Sequence, residues 1–165
     1  MKNILVKKKF LSFDIKEKIL FDINFEIENN FCPSVPKFQT YPNLFNKYKN
    51  TKHWSVYFEK LNEEINKINK SFKLDVCWAN VVKSISNYQV HTHGQNILST
   101  VYFIQNKYKE FGTYFNKDDE EFIIPGEENS LLIFNGDIPH ATTMPPEVIC
   151  KNNPRVTLVT DYCLR

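Results

Sequence analysis

Long apolar runs are missing from this 165-residue chain. None extends beyond Leu131 to Phe134 and its edges, against the roughly 20 apolar residues of a membrane span. Met1 to Phe13 holds lysines but no apolar core of the kind that marks a secretory signal. Cysteine is sparse: Cys32, Cys77, Cys150 and Cys163 include no C-x-x-C pair and no zinc spacing, so reduced thiols are expected. Charge of one sign is also lacking. The formal net charge is only +2, with lysines interspersed among acids. A nucleic-acid footprint is therefore not expected, and Lys7-Lys8-Lys9 reads as a solvated edge. Glycine occurs four times, at Gly94, Gly112, Gly126 and Gly136, with no Gly/Ser linker and no repeat. Disorder is excluded for most of the chain, because 15% aromatic residues at so small a charge would collapse. These absences leave one expectation: a soluble, cytoplasmic protein with a single domain over residues 1–165.

What is present divides that domain in two. Residues 1–73 read as a helical and irregular support, and residues 74–162 as a β core. Between residues 4 and 31, apolar and charged residues mix without a clear period, and the prolines between Cys32 and Tyr48 suggest irregular loop. Residues 51–72 carry the best helix signal. Trp54, Tyr57, Phe58, Leu61, Ile65, Ile68 and Phe72 recur at spacings of three and four, with Glu and Lys on the other face. This aromatic stripe, like Trp78 beyond it, reads as core packing.

Strands are expected at Leu74–Val82, Tyr88–His93, Ile97–Ile104, Thr113–Phe115, Glu121–Ile124, Ser130–Phe134, His140–Met144 and Arg155–Tyr162. All are short, β-branched or aromatic, and bounded by turn residues. With no helix between them they favour antiparallel pairing, in a sandwich, jelly roll or barrel.

Of four histidines, His91, His93 and His140 lie in the strand-rich half. Residues two apart share a strand face, so His91 and His93 present both imidazoles to one side. A jelly roll can bring His140 across from them, and three imidazoles would suit Fe, Zn, Cu or Ni. The plainer reading places H-x-H on an exposed sheet face. Gly94 directly after the pair and Pro139 before His140 favour the site, because sites gather at strand ends.

Arginine is rarer still, with Arg155 and Arg165 set against nineteen lysines. Asn, Lys, Ile and Phe make up about two-fifths of the chain, as A/T-rich codons would give. An arginine kept under that pressure suggests that its planar fork is wanted. Arg155 with Thr157 on the same strand face makes a carboxylate clamp. Asn80, on the strand before the histidines, could reach a bound ligand or be an edge residue.

The order H-x-H, LSTVYFI, a Gly-containing hairpin, PGEENSLLIFNGDIPH and RVTLVTDY resembles the Fe(II)/2-oxoglutarate-dependent oxygenases. It is most similar to small oxygenases of marine bacteria and their phages, with some likeness to prolyl 4-hydroxylases; if it is phage-encoded, the location would be the host cytoplasm. The resemblance covers about residues 74–162. It implies a double-stranded β-helix, a jelly-roll variant. It makes His91 and His140 iron ligands, and Arg155 with Thr157 the holder of the distal carboxylate of 2-oxoglutarate. It also implies O2 as co-reactant and hydroxylation of a C–H bond. A prolyl or other protein residue is favoured as substrate over a small molecule.

Two departures stand out. His93 occupies the position where the family has a carboxylate ligand: either the metal set is His91, His93 and His140, which side-chain parity favours, or His93 stands behind the ligands and a carboxylate comes from elsewhere. Phe103 occupies the position of a keto-acid-binding tyrosine. Tyr102 should face the other way, leaving Thr157 or Ser99 to supply the missing donor, with Ser99 favoured because it lies on the face of Phe103. Two further classes stay open. One is a cupin-like three-histidine metalloenzyme without a keto acid, although Gly94–Val101 lacks the usual cupin glutamate. The other is a non-catalytic β-sandwich binding module.

Overall fold

A computed structural model describes residues 4–29, 39–82, 89–143 and 153–165. Cys32, Cys150, Pro33, Pro36, Tyr88 and Met144 lie outside the described residues. The elements run β1 (Ile4–Lys7), α1 (Phe13–Asn29), α2 (Leu44–Tyr48), α3 (Lys52–Ile68), β2 (Phe72–Val82), β3 (Ile97–Gln105), β4 (Thr113–Lys117), β5 (Glu120–Ile124), β6 (Ser130–Asn135), β7 (His140–Thr142) and β8 (Arg155–Leu164).

The strands form two antiparallel sheets. The larger has the order β1-β6-β3-β8-β2 and the smaller β5-β4-β7. The chain crosses from one sheet to the other after β3, β5, β6 and β7, and this mainly β arrangement is the double-stranded β-helix expected from the sequence. Side-chain alternation divides the interior. Val101, Phe103, Leu132, Phe134 and Val159 point between the sheets and pack with Phe115 of the smaller sheet. Their neighbours Leu98, Tyr102, Ile104, Leu131, Ile133, Val156 and Leu158 point the other way, into a core shared with the helices.

Helix α3 lies on that outer face through Trp54, Tyr57, Phe58, Leu61 and Ile65, all buried as the three–four spacing requires. Each such burial stabilises by about 1.5–3 kcal/mol. Helix α1, which the sequence did not announce, packs beside it. Its buried stripe is Lys16, Ile19, Leu20, Ile23 and Glu26, while Phe13, Phe21 and Phe25 face outward. Charges inside and phenylalanines outside erase the period that a sequence reading depends on. The buried charges are paired, as burial demands. Lys16 reaches Glu128 at 2.6 Å, and Glu26 meets Lys47 and the Tyr48 hydroxyl. Asp22 of the same helix accepts bonds from Trp54 Nε1 at 2.8 Å and His53 Nε2 at 2.7 Å, which fixes α1 to α3.

Other departures are local. Strand β1 adds to β6 along Ile4–Lys7, in a stretch read as patternless. Of the strand expected at Tyr88–His93, only a single bridge between His91 and His140 forms among the described residues. Asp118 and Asp119 both take positive φ, 54° and 61°, and close the β4–β5 hairpin between Lys117 and Glu120. Two central residues of this kind give a two-residue turn whose twist suits the strands.

Candidate metal centre

The backbone around the histidines is held from three directions. His91 and His140 exchange both backbone bonds at 3.0 Å, and His93 N donates to Gly136 O at 2.7 Å. His140 also pairs with Phe115 of β4. The H-x-H segment thus lies extended along the free side of β7, which turns both its imidazoles toward His140.

All three side chains offer a ligand nitrogen, and these atoms lie within 4.8 Å of one another. The other nitrogen of each ring has a partner. His91 Nδ1 donates to Gln89 O at 3.0 Å, and His140 Nδ1 donates to Ile138 O at 2.8 Å. A carbonyl can only accept, so in both rings Nδ1 carries the proton and Nε2 presents its lone pair. His93 Nδ1 lies 2.7 Å from Asp161 Oδ2, which sets the same tautomer. Such outer partners orient metal-binding imidazoles.

One contact tests whether these residues fit a metal. His91 Nε2 and His93 Nε2 stand 3.2 Å apart. Two unprotonated nitrogens repel at that distance unless a cation lies between them. Two nitrogens each about 2.1 Å from one metal ion would be separated by roughly 3.0–3.4 Å at ordinary coordination angles. The observed gap falls in that range. Burial is the main cause that holds the His140 pKa down to about 4; the bond to Ile138 opposes it, and His91 and His93 add to the depression. A neutral imidazole is the form a metal needs.

The histidines border a cavity of about 360 Å³, which Arg155, Thr157 and Asn80 also line. Arg155 is buried, its guanidinium 5.0 Å above the Phe103 ring and its Nη2 donating to Gly112 O at 3.2 Å. Phe103 thus forms a floor that keeps the fork in place, a cation–π contact. Thr157 lies beside it on the inner face of β8, where it pairs with Phe103 of β3. Tyr102 faces the helices and donates its hydroxyl to Asn129 Oδ1 at 2.9 Å.

Two placements differ from the sequence reading. Ser99 does not reach the cavity wall. It is fully buried behind the triad, donates to Asp161 Oδ1 at 2.7 Å and stands 3.1 Å from His93 Nδ1. Its face was foreseen, but Asp161 opposite it in the ladder captures the hydroxyl. Trp78, read as core, is half-buried in the cavity wall with its ring 5.9 Å from that of His93. Gln39, Thr113 and Thr142 also line the cavity without having been singled out. Asp161 was missed as well, although its parity with Arg155 and Thr157 was a signal.

Searches with the sequence find no matching family model and no curated relative. Solved structures do match. A prolyl-4-hydroxylase of Pseudomonas putida superposes with a TM-score of 0.73 at 14% identity, over 99% of this chain and 93% of that one. A prolyl hydroxylase from Trichoplax adhaerens, in complex with a hypoxia inducible factor oxygen degradation domain peptide fragment, gives 0.73 at 9% identity, over 98% and 84%. The chain has the fold of the 2-oxoglutarate-dependent oxygenases. The non-heme α-ketoglutarate-dependent epimerase SnoN from nogalamycin biosynthesis gives 0.72 at 6% identity, over 98% and 78%. At such identities the likeness extends to the fold, and the chemistry must be argued from the side chains.

Proposed function

We propose that this protein is an Fe(II)- and 2-oxoglutarate-dependent dioxygenase that hydroxylates a C–H bond. One observation carries the reading: three imidazoles with converging Nε2 atoms share a cavity with a buried arginine. Bound iron, with 2-oxoglutarate and O2, would supply oxidative decarboxylation of the keto acid to succinate and CO2, coupled to insertion of one oxygen atom into the substrate.

The chain's own residues have separable tasks. His91, His93 and His140 would hold the metal through Nε2 and leave its remaining positions to the cavity. Arg155 would take the distal carboxylate with its fork, and Thr157 would add a hydroxyl donor. Phe103 keeps the guanidinium from swinging away, and Asn80 can reach the keto acid or the substrate. Ser99 would act through Asp161 and not on the keto acid directly. The apolar wall from Trp78 and Val101 limits water around the reacting groups. A side chain of a protein substrate, prolyl among the candidates, is the favoured target, on the likeness to prolyl hydroxylases. Arg155 in the same cavity speaks against a three-histidine enzyme without a keto acid, which would have no use for a buried fork.

The test is an anaerobic titration of metal-free protein, first with Fe(II) and then with 2-oxoglutarate. A weak visible charge-transfer band that needs both additions is expected. Iron binding with no such band would refute use of the keto acid, and no iron binding would refute the metal site.

A further inference from the structure

The three imidazoles are not held alike. His91 and His140 donate Nδ1–H to backbone carbonyls, whereas His93 meets a carboxylate, Asp161 Oδ2, at 2.7 Å. Asp161 is itself buried, and its ladder partner Ser99 donates to its second oxygen at 2.7 Å. Among the described residues His93 is the sole ion-pair partner of Asp161; neither lysine nor arginine reaches it. The two carboxylate oxygens of Asp161 are thus divided between the Ser99 hydroxyl and the His93 imidazole. Three neutral ligands, meanwhile, leave a divalent cation with no negative charge in direct contact.

We propose that Asp161, braced by Ser99, is a positioning residue that lends the metal centre its negative charge through His93. The proposal rests on the metal-binding reading given above. Hydrogen bonding of an imidazole Nδ1–H to a carboxylate raises the basicity of Nε2 as well as fixing the ring. The His93–Asp161 pair then does jointly what an anionic ligand does alone. Ser99 holds Asp161 Oδ1, which leaves Oδ2 directed at His93. Its hydroxyl, which donates to Asp161, can also accept from His93 Nδ1 at 3.1 Å, so Ser99 touches both members of the pair.

Metal-free protein titrated with Co(II), followed by calorimetry and by the visible d–d bands, tests this without turnover. Asp161→Asn can still accept from His93 Nδ1 through its amide oxygen, so it removes the charge while leaving the tautomer. The expected result is a loss of Co(II) affinity of roughly 10- to 100-fold with the melting temperature of the metal-free protein little changed. Unchanged affinity in Asp161→Asn would overturn the proposal. A second measurement needs no variant at position 161. In Zn(II)-loaded protein, the His93 Nδ1 proton, assigned by its absence in His93→Gln, should resonate furthest downfield of the three ligand imidazoles. A position no different from those of His91 and His140 would overturn the proposal. His140→Ala separates the two levels of argument. If it binds Co(II) as tightly as the parent, the metal-binding reading fails. If it does not, and Asp161→Asn is unaffected, only the role of Asp161 fails.

Discussion

Replacing Arg155 by Met gives the sharpest test of the keto-acid clamp. The guanidinium rests on the Phe103 ring at 5.0 Å and donates to Gly112 O. Methionine keeps an unbranched apolar stem over that ring and removes the fork. The abandoned carbonyl is not left bare, because Thr143 N and Thr143 Oγ1 also donate to Gly112 O, at 3.2 and 3.1 Å. The fold should therefore survive. Removing one partner of a desolvated charge pair costs about 2–5 kcal/mol. The lower end applies here, because the cavity opens to water past the exposed His91. A loss of about 2–3 kcal/mol corresponds to roughly 30- to 150-fold weaker 2-oxoglutarate binding. The assay is calorimetric titration of Mn(II)-loaded protein with 2-oxoglutarate, and in parallel with 2-oxobutyrate, which chelates equally well but has no distal carboxylate. Parent and variant should bind 2-oxobutyrate alike, and Mn(II) affinity should not move. If the variant lost both keto acids equally, or lost the metal as well, Arg155 would not be the anchor of the distal carboxylate.

Three further substitutions probe the frame around the site. Gly112→Ala places a Cβ 1.8 Å from Ile124 O and 2.7 Å from Gly126 N, both backbone atoms; chemical denaturation should show a loss of several kcal/mol, or no folded protein. Gly136→Ala brings a Cβ to 3.0 Å from Ile97 and 3.2 Å from His93 Cβ; Co(II) affinity should fall several-fold while the melting temperature drops by only a few degrees. Asn129 bonds Leu11 N and O and the Tyr102 hydroxyl, at a φ of 61°. Asn129→Gly keeps that φ and loses the three bonds, so stability should fall by about 2–3 kcal/mol with metal binding unchanged.

The parts of this molecule that were legible in the sequence are those where one period governs. Helix α3 shows its stripe because its buried face is wholly apolar, and β3, β6 and β8 show theirs because they are buried on both faces and rich in β-branched, aromatic and other apolar residues. The triad could be read from H-x-H and a later histidine, since strand parity needs no tertiary knowledge. Helix α1 was hidden by Lys16 and Glu26, whose partners Glu128, Lys47 and Tyr48 come from remote elements. Ser99 was assigned a face correctly but a partner wrongly, because a face does not say which cross-strand neighbour waits on it. That neighbour, Asp161, follows only from the β3–β8 register, and register is a property of the pairing and not of either strand alone.

Register is also what couples the two ends of the site. Arg155, Thr157, Val159 and Asp161 share one face of β8, so the proposed clamp and the carboxylate behind His93 stand on a single strand. A one-residue slip of β8 would turn all of them toward the helices at once. The ladder is pinned against that slip at both ends of the stripe. Between Phe103 and Gln105 the β3–β8 pairing shifts beside Arg155, and Gln105 Nε2 donates to Pro154 O at 2.8 Å. Between Leu74 and Val76 the β2–β8 pairing shifts beside Asp161. Bulges of this kind bend a strand and re-aim its side chains. Here the extra residues are Ile104 on β3 and Asp75 on β2, so the neighbours take up the irregularity and β8 itself runs unbroken from Arg155 to Asp161.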